Sequence, residues 1–201
     1  VMIKTFNETN LKTEILEAIK EMGFIKPTPI QAKTIPYLID SKVDLIASAQ
    51  TGTGKTGAFG LPAIHLTNIE IKKPQTLILC PTRELCMQIK NDLNDFAKNI
   101  TGINIVAVYG GSSVEKQIQS LKKGAHIVVG TPGRTKDMIK RKKLSLGYID
   151  RVILDEADEM LSMGFKEDID AILDKTPDEK QTLLFSATMN KKILSITKRY
   201  M

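Results

Sequence analysis

The sequence predicts an α/β domain with a mostly parallel central sheet and helices on both of its faces. Short β-rich runs alternate with longer amphipathic segments along most of the chain. Several strand candidates, such as Ile127–Val129 and Val152–Leu154, are continuously apolar, which indicates burial on both faces. Such alternation favours parallel strands joined by right-handed crossovers. No repeat or linker interrupts the pattern, so residues 1–201 are expected to form one domain.

The elements can be assigned in chain order. Apolar residues at helical spacing from Leu11 to Met22 predict a first helix, with Asn10 as its N-cap and Gly23 at its end. Pro27 and Pro29 are interpreted as a turn. Six strands are then expected: Val43–Ala47, Thr76–Cys80, Ile103–Val108, His126–Val129, Arg151–Leu154 and Thr182–Phe185. The helices between them are about Lys55–Leu66, Arg83–Asn99, Val114–Lys122, Gly133–Arg141, Ala157–Leu173 and Asn190–Arg199.

Composition limits the class of protein. Apolar residues make up 42% of the chain and charged residues 26%, as in an ordinary globular domain. No apolar run approaches the roughly 20 residues of a membrane span, so no membrane-spanning segment and no membrane partner are expected. The lone Cys80 and Cys86 are interpreted as buried, reduced thiols of a cytoplasmic protein. The net charge of +6 is compatible with a polyanionic partner. Cys80, Cys86, His65 and His126 lack metal-ligand spacing and are interpreted as structural.

The segment Ala49–Thr56 predicts a phosphate-binding loop. It follows an apolar strand and leads into a helix, so its glycines allow backbone N–H groups to converge on an anion at a helix N-terminus. Lys55 is expected at the β- and γ-phosphates, and the Thr56 hydroxyl on Mg²⁺. The usual motif begins with Gly rather than Ala49, and a Gly-rich turn with a surface lysine is the alternative. The candidate nucleotide-binding residues are Ala49, Gln50, Thr51, Gly52, Thr53, Gly54, Lys55 and Thr56.

Other polar clusters also follow predicted strands, where ligands of a parallel sheet bind. Asp155 and Glu156 come directly after Arg151–Leu154, so a carboxylate should face the phosphate loop. We expect Asp155 to hold Mg²⁺ and Glu156 to orient or deprotonate the attacking water. An acidic helix start favoured by the macrodipole is the alternative, and it accounts well for Asp158 and Glu159.

The tetrapeptide Asp155-Glu156-Ala157-Asp158 resembles the name-giving motif of the DEAD-box RNA helicases, which implies a RecA-like fold and ATP or ADP as the nucleotide. Ala49 fits the phosphate loop of that family. Phe6, Gly23-Phe24 and Pro27–Gln31, within about residues 4–32, resemble the adenine-reading Q motif of the family. This resemblance implies nucleotide contacts from Phe6, Lys26 and Gln31. A glutamine amide offers the donor and the acceptor that adenine requires. Phe6 can stack on the base or serve as an apolar staple for the first helix.

The remaining clusters resemble the RNA-contacting and coupling motifs of the family. The RNA-contacting residues implied are Pro81, Thr82, Arg83, Gly110, Gly111, Thr131, Pro132, Gly133 and Arg134. Arginines, hydroxyls and glycine N–H groups contact the sugar-phosphate chain, so RNA binding should be independent of base sequence and sensitive to salt. Ser186 and Thr188 resemble the motif that couples hydrolysis to strand separation. For the basic run Lys140–Lys143, a solvated helix terminus is favoured over an RNA contact.

The family pattern continues beyond Met201 with a second RecA-like domain that supplies arginines to the nucleotide. The chain is therefore expected to be the N-terminal half of a helicase, monomeric by itself, able to bind adenine nucleotide but nearly inactive, since such arginines contribute roughly 10³–10⁵ in rate. Two alternatives stay open on the sequence: a P-loop ATPase that acts on DNA or protein, and a non-catalytic RNA clamp.

Overall fold

A computed structural model describes residues 2–201; Val1, the first residue of the predicted domain, lies outside it. Within this range one sheet of six parallel strands has the order β1-β6-β5-β2-β4-β3. The strands are β1 Leu45–Ser48, β2 Thr76–Leu79, β3 Ile105–Val108, β4 Ile127–Gly130, β5 Arg151–Leu154 and β6 Gln181–Ser186. The prediction of a RecA-like α/β domain is confirmed, and every described strand pairing is parallel.

The helices form two layers, one on each face of the sheet. They are α1 Thr13–Glu21, α2 Pro29–Asp40, α3 Lys55–His65, α4 Arg83–Phe96, α5 Val114–Lys122, α6 Pro132–Lys140, α7 Ala157–Ser162, α8 Lys166–Leu173 and α9 Lys191–Tyr200. Alternate strand residues enter two cores: Ile78 and Ile153 pack with α1 to α4, whereas Leu77 and Val152 pack with α5 to α9. β2 to β6, including the edge strand β3, are buried throughout, which agrees with the burial on both faces that the continuously apolar strands predicted.

The N-terminal segment differs from the prediction. The N-cap of α1 is Lys12 rather than Asn10, because Leu11 is buried and the Lys12 N–H donates to Nδ1 of His65 at 3.0 Å. These contacts hold the chain extended until Thr13. Burial lowers the pKa of His65, which favours the neutral ring that this acceptor role requires.

Two other helices differ from the prediction. Helix α2 was not predicted: the turn expected at Pro27 and Pro29 ends at Thr28, which forms a reciprocal capping box with Gln31, and Pro29 lies in the first turn of the helix. The single helix expected over Ala157–Leu173 is two helices, since Gly164 adopts a φ of 85° after α7. Among residues 2–201, no helix combines the length and apolarity that crossing a bilayer would need.

Candidate active site and nucleic-acid interface

The phosphate loop lies between the carboxyl end of β1 and the first turn of α3. Gly52 and Gly54 adopt φ values of 84° and 83°, a region that other residues enter at a cost. A Cβ on Gly54 would also lie 2.7 Å from the Thr28 hydroxyl and 2.8 Å from the Gln31 amide nitrogen. Because α3 begins at Lys55, its N-terminal N–H groups and positive dipole end face the loop. The segment therefore has the backbone of an anion site.

Lys55, Asp155 and Glu156 meet at this helix end. The Lys55 ammonium lies 3.0 Å from Asp155 Oδ1 and 3.6 Å from Glu156 Oε1, and the Lys55 and Asp155 side chains are both buried. Burial raises the pKa of Asp155, although the charge of Lys55 opposes this rise. The Thr51 hydroxyl donates to Glu156 Oε1 at 3.1 Å, and Glu156 itself has a left-handed φ of 51°. Such backbone strain is typical of functional sites.

The Asp155 carboxylate is buried beside the phosphate loop. Within residues 2–201, the Lys55 ammonium lies 3.0 Å from Oδ1, and no other side chain is bonded to either carboxylate oxygen. Carboxylate oxygens at such a position are ligands of the kind that a hard cation and its waters require. No group of three or more His, Cys, Asp or Glu is arranged for a metal in the described chain, so any cation here would also need ligands from phosphate and water. A cavity of about 300 Å³ lies between the loop and Glu156.

Gln31 connects α2 to the phosphate loop. Its Oε1 accepts from the Thr28 N–H at 3.0 Å, and its Nε2 donates to the Gly54 carbonyl at 3.0 Å. The side chain is only 4% exposed, yet the amide retains one N–H and one lone pair beyond these two bonds. The structure thus gives Gln31 a positioning role that the sequence did not indicate, and leaves the adenine contact a prediction.

The other residues predicted to contact the base are less closely grouped. Phe6 is buried and packs its ring against Phe24, with centroids 6.2 Å apart, which fits the staple alternative. It lines a cavity of about 290 Å³, and neither Lys26 nor Gln31 is among the lining residues of that cavity. Lys26 is exposed. Stacking of adenine on Phe6 stays a prediction.

The loops after β2, β3 and β4 meet through two arginines. Arg83 donates to the Gly111 carbonyl at 3.0 Å and lies over the Tyr109 ring, 5.2 Å from its centroid. Arg134 donates to the Ser112 carbonyl at 3.2 Å and to Gln117 Oε1 at 3.0 Å.

Gln117 is buried, and its amide also donates to the Tyr109 carbonyl at 3.0 Å, so one side chain ties two loops together. Gln117 and Tyr109 were not identified from the sequence, where they belong to ordinary helix and strand patterns.

The glycines of these loops differ in whether their backbone conformation requires glycine. Gly111 has a φ of 77°, so its backbone conformation is enough to explain it. Gly110 and Gly133 have no such conformation, and a Cβ on either would meet nothing within 4 Å in the described chain. Backbone conformation therefore does not explain these two glycines, and both leave space in which a ligand could approach the backbone closely.

The hydroxyls and prolines of these loops occupy helix starts. Thr82 caps α4 by accepting from the Leu85 N–H at 3.2 Å, whereas Thr131 makes no side-chain cap at α6. Pro132 stands in the first turn of α6, and Pro81 is buried between β2 and α4.

A chain of hydrogen bonds connects the end of β6 to α7. Ser186 donates to the Thr188 carbonyl at 2.7 Å, and the Thr188 hydroxyl donates to Asp158 Oδ2 at 3.2 Å. Asp158 lies in the first turn of α7, two residues after Glu156. The preference for acidic residues at a helix start, which was the alternative for Asp158, therefore explains only part of its position. Asp158 also accepts the hydrogen bond from Thr188, which the sequence did not indicate.

Comparisons with known proteins agree with this geometry. A family model described as DEAD/DEAH box helicase matches residues 28–196. The chain is 53% identical to the DEAD-box ATP-dependent RNA helicase CshA of Streptococcus pneumoniae, covering 98% of this chain and 37% of that protein. It is 49% identical to the ATP-dependent RNA helicase DeaD of Escherichia coli, covering 98% of this chain and 31% of that protein.

A solved structure shares the fold over the whole chain. The crystal structure of a DEAD box protein from the hyperthermophile Methanococcus jannaschii matches with a TM-score of 0.95 and 45% identity, covering 100% of this chain and 55% of the other. The chain thus spans about a third of the length of these curated relatives. The residues around the phosphate loop, the fold and the sequence similarity agree: the chain belongs to the DEAD/DEAH box helicase family.

Proposed function

We propose that these residues are the ATP-binding half of an ATP-dependent RNA helicase, which separates short RNA duplexes or remodels RNA–protein complexes in the cytoplasm. The observation that carries the proposal is that Lys55, Asp155 and Glu156 meet at the start of α3 on the sheet edge that also carries Arg83 and Arg134. The relatives named as ATP-dependent RNA helicases support the same function.

Each residue at the nucleotide end has a physical role in this proposal. The N–H groups of the loop and the Lys55 ammonium bind the β- and γ-phosphates, which removes Lys55 from its ion pair with Asp155. Glu156 orients the attacking water, since phosphoryl transfer depends mainly on positioning and charge stabilisation. Thr56 and Asp155 would hold Mg²⁺, which neutralises phosphate charge when bound.

The residues after β6 are the proposed coupling between hydrolysis and the rest of the molecule. Ser186, Thr188 and Asp158 link the β6 loop to the helix that begins at Glu156, so movement of Glu156 shifts hydrogen bonds outside the nucleotide site. We propose a second RecA-like domain as the partner that completes both sites, with the present residues monomeric in its absence. ATP turnover by this chain alone is then expected to be very low.

Nucleotide selectivity is tested by ADP and GDP titration of the chain, monitored by calorimetry. We expect tighter binding of ADP, loss of both affinities in Lys55→Ala, and a smaller ADP preference in Gln31→Ala. Equal affinities for the two nucleotides, unchanged in Gln31→Ala, would overturn the assignment to adenine.

RNA binding is tested with Gly133→Glu, because a Cβ at Gly133 would meet no atom within 4 Å in the described chain and the substitution should leave the fold intact. The introduced carboxylate would repel a phosphate that approaches this backbone, so affinity for single-stranded RNA should fall while unfolding by urea is unchanged. An unaltered RNA affinity would contradict the proposal that RNA binds at this edge of the sheet. A preference for single-stranded DNA would favour the DNA-directed ATPase, since 2′-hydroxyl contacts distinguish RNA.

A further inference from the structure

A groove beside the RNA-facing loops has no role in the function proposed so far. It has a volume of about 260 Å³ and lies along the edge strand β3, between one face of α4 and one face of α5. Its volume is slightly below the roughly 300–1,000 Å³ of small-molecule pockets, so it could hold only part of a larger ligand. The residues that line it are Met87, Lys90, Asn91, Ala107, Tyr109, Ser112, Lys116, Gln117 and Ser120.

The groove is positively charged. Lys90 on α4 and Lys116 on α5 line opposite walls, and no acidic side chain is among the described residues that line it. Neither lysine takes part in an ion pair within residues 2–201. Two lysines without an internal counter-ion favour a polyanion between them.

The groove is continuous with the RNA-facing loops. Tyr109 and Ser112, which line it, are the residues that hold Arg83 by ring contact and Arg134 by a backbone hydrogen bond. Buried Gln117 forms part of the wall and fixes Arg134 from inside. A strand that leaves the two arginines across the β3 edge enters the groove directly.

The lining also suits a nucleotide rather than a phosphate alone. Tyr109 and the 40% exposed Met87 provide an apolar wall for a base, with the Asn91 amide and the Ser120 hydroxyl nearby as polar groups. Arg83 already lies over one face of the Tyr109 ring, so a base would contact the part of the ring that Arg83 leaves uncovered. Contact with an aromatic side chain tolerates any base. Lysines above such a wall would hold the adjoining phosphates.

We propose that the groove between α4 and α5 is an additional single-stranded RNA subsite, which binds the part of the strand that continues past Gly111 and Arg134. This inference rests on the proposed RNA-binding function of the loops. It extends the binding site over the β3 edge by one or two nucleotides, with Lys90 and Lys116 on phosphates and Tyr109 beside a base. Its recognition is independent of base sequence.

Oligonucleotide length provides the test. RNA of about five nucleotides should fill the loops alone, whereas RNA of about ten nucleotides should also reach the groove. We expect the charge reversal Lys90→Glu/Lys116→Glu to reduce affinity for the longer RNA and to leave the shorter unchanged. Two lost phosphate contacts should make the slope of log K against log salt shallower by about 1.4 for the longer RNA.

Two further variants separate the possible outcomes. Lys72→Glu/Lys73→Glu makes the same change of net charge at exposed residues before β2, at the other end of the sheet, and should change the affinity for neither length. Gly133→Glu should weaken both lengths. Suppose that Gly133→Glu weakens the binding of both RNA lengths while the groove variant binds them as the Lys72/Lys73 control does. That result would refute the groove subsite and would still support RNA binding by the loops.

If Gly133→Glu changes neither length, the proposed RNA-binding function itself fails. Photo-crosslinking adds a direct readout: 4-thiouridine near one end of the longer RNA should label peptides from α4 or α5, and the groove variant should abolish that label. Label confined to residues 131–134 would also overturn the subsite, and would leave the groove to another partner, such as an acidic protein segment.

Discussion

Replacing Gln31 by glutamate changes one amide nitrogen to oxygen at the junction of α2 and the phosphate loop. In the wild type, Nε2 donates to the Gly54 carbonyl at 3.0 Å and Oε1 accepts from the Thr28 N–H at 3.0 Å. After Gln31→Glu, the Thr28 bond can persist, but two acceptors face one another at Gly54. The lost hydrogen bond costs about 0.5–1.5 kcal/mol and the unpaired buried acceptor about 1–3 kcal/mol. We therefore expect a loss of about 2–4 kcal/mol, or roughly 5–15 °C in Tm.

This defect should depend on pH in a known direction. Burial beside a carbonyl raises the pKa of the introduced carboxyl above its unfolded value, and the protonated acid can again donate to Gly54. The loss is therefore fully present above the raised pKa and shrinks as pH falls towards the ordinary glutamate value of about 4.3. Each unit of the rise returns about 1.4 kcal/mol. Gln31→Ala removes both hydrogen bonds without adding a titratable group, so its loss should not vary with pH in this way.

Urea unfolding of wild type, Gln31→Glu and Gln31→Ala at about pH 7.5 and about pH 5 measures both quantities. Gln88→Glu is the matched control, since Gln88 is exposed on α4 and the same substitution should change stability by less than about 0.5 kcal/mol. A Gln31→Glu protein as stable as wild type, or one whose deficit is equal at both pH values, would refute the hydrogen bond to Gly54.

Two further predictions test other parts of the fold. A Cβ would meet no atom within 4 Å at either Gly164 or Gly147, but only Gly164 has a positive φ. Gly164→Ala should therefore lower the free energy of unfolding in urea by about 1–2 kcal/mol, and Gly147→Ala by much less. Equal losses in the two variants would contradict backbone strain as the cause. Burial alone raises the pKa of Asp170, but hydrogen bonds from Lys166 and from the Tyr200 hydroxyl outweigh it and hold the pKa below its usual range. Tyr200→Phe should therefore lose about 1–2 kcal/mol at neutral pH, and that loss should disappear as pH falls below about 3.9 and through the lowered pKa; a constant loss down to about pH 3 would contradict it.

The nucleotide end of the site could be predicted because local patterns determine it. A parallel sheet brings the ends of its strands to one edge, so Lys55 after β1 and Asp155 after β5 were expected to face one another, and their charged atoms lie 3.0 Å apart. The phosphate loop needs a strand, two flexible glycines and a helix start, all of which are visible as sequence.

One miss was local: Thr28 and Gln31, three residues apart, form the capping box that starts α2, with Pro29 in its first turn, whereas the prolines had been interpreted only as a turn. The other unpredicted contacts join residues far apart in the chain. The bond from Gln31 to Gly54 crosses 23 positions, and Gln117 reaches Arg134 across 17. Neither partner is marked by spacing or composition, because a buried glutamine on an amphipathic helix does not alter the apolar period.

Strand order explains how one edge could serve two ligands. In the proposed function, the nucleotide loops follow β1, β6 and β5, which are consecutive in the sheet, and the RNA-facing loops follow β2, β4 and β3, which are consecutive beyond them. With strands about 4.8 Å apart, the two groups meet where β5 adjoins β2, and the β3 edge lies about 24 Å from β1. The two groups alternate along the chain, since β5 and β6 come last, so the sequence does not reveal this division. Under the proposed function, the effect of nucleotide binding would reach the RNA-facing loops at β5. Asp158, which follows β5 and accepts a hydrogen bond from Thr188 after β6, lies on the nucleotide side of that boundary.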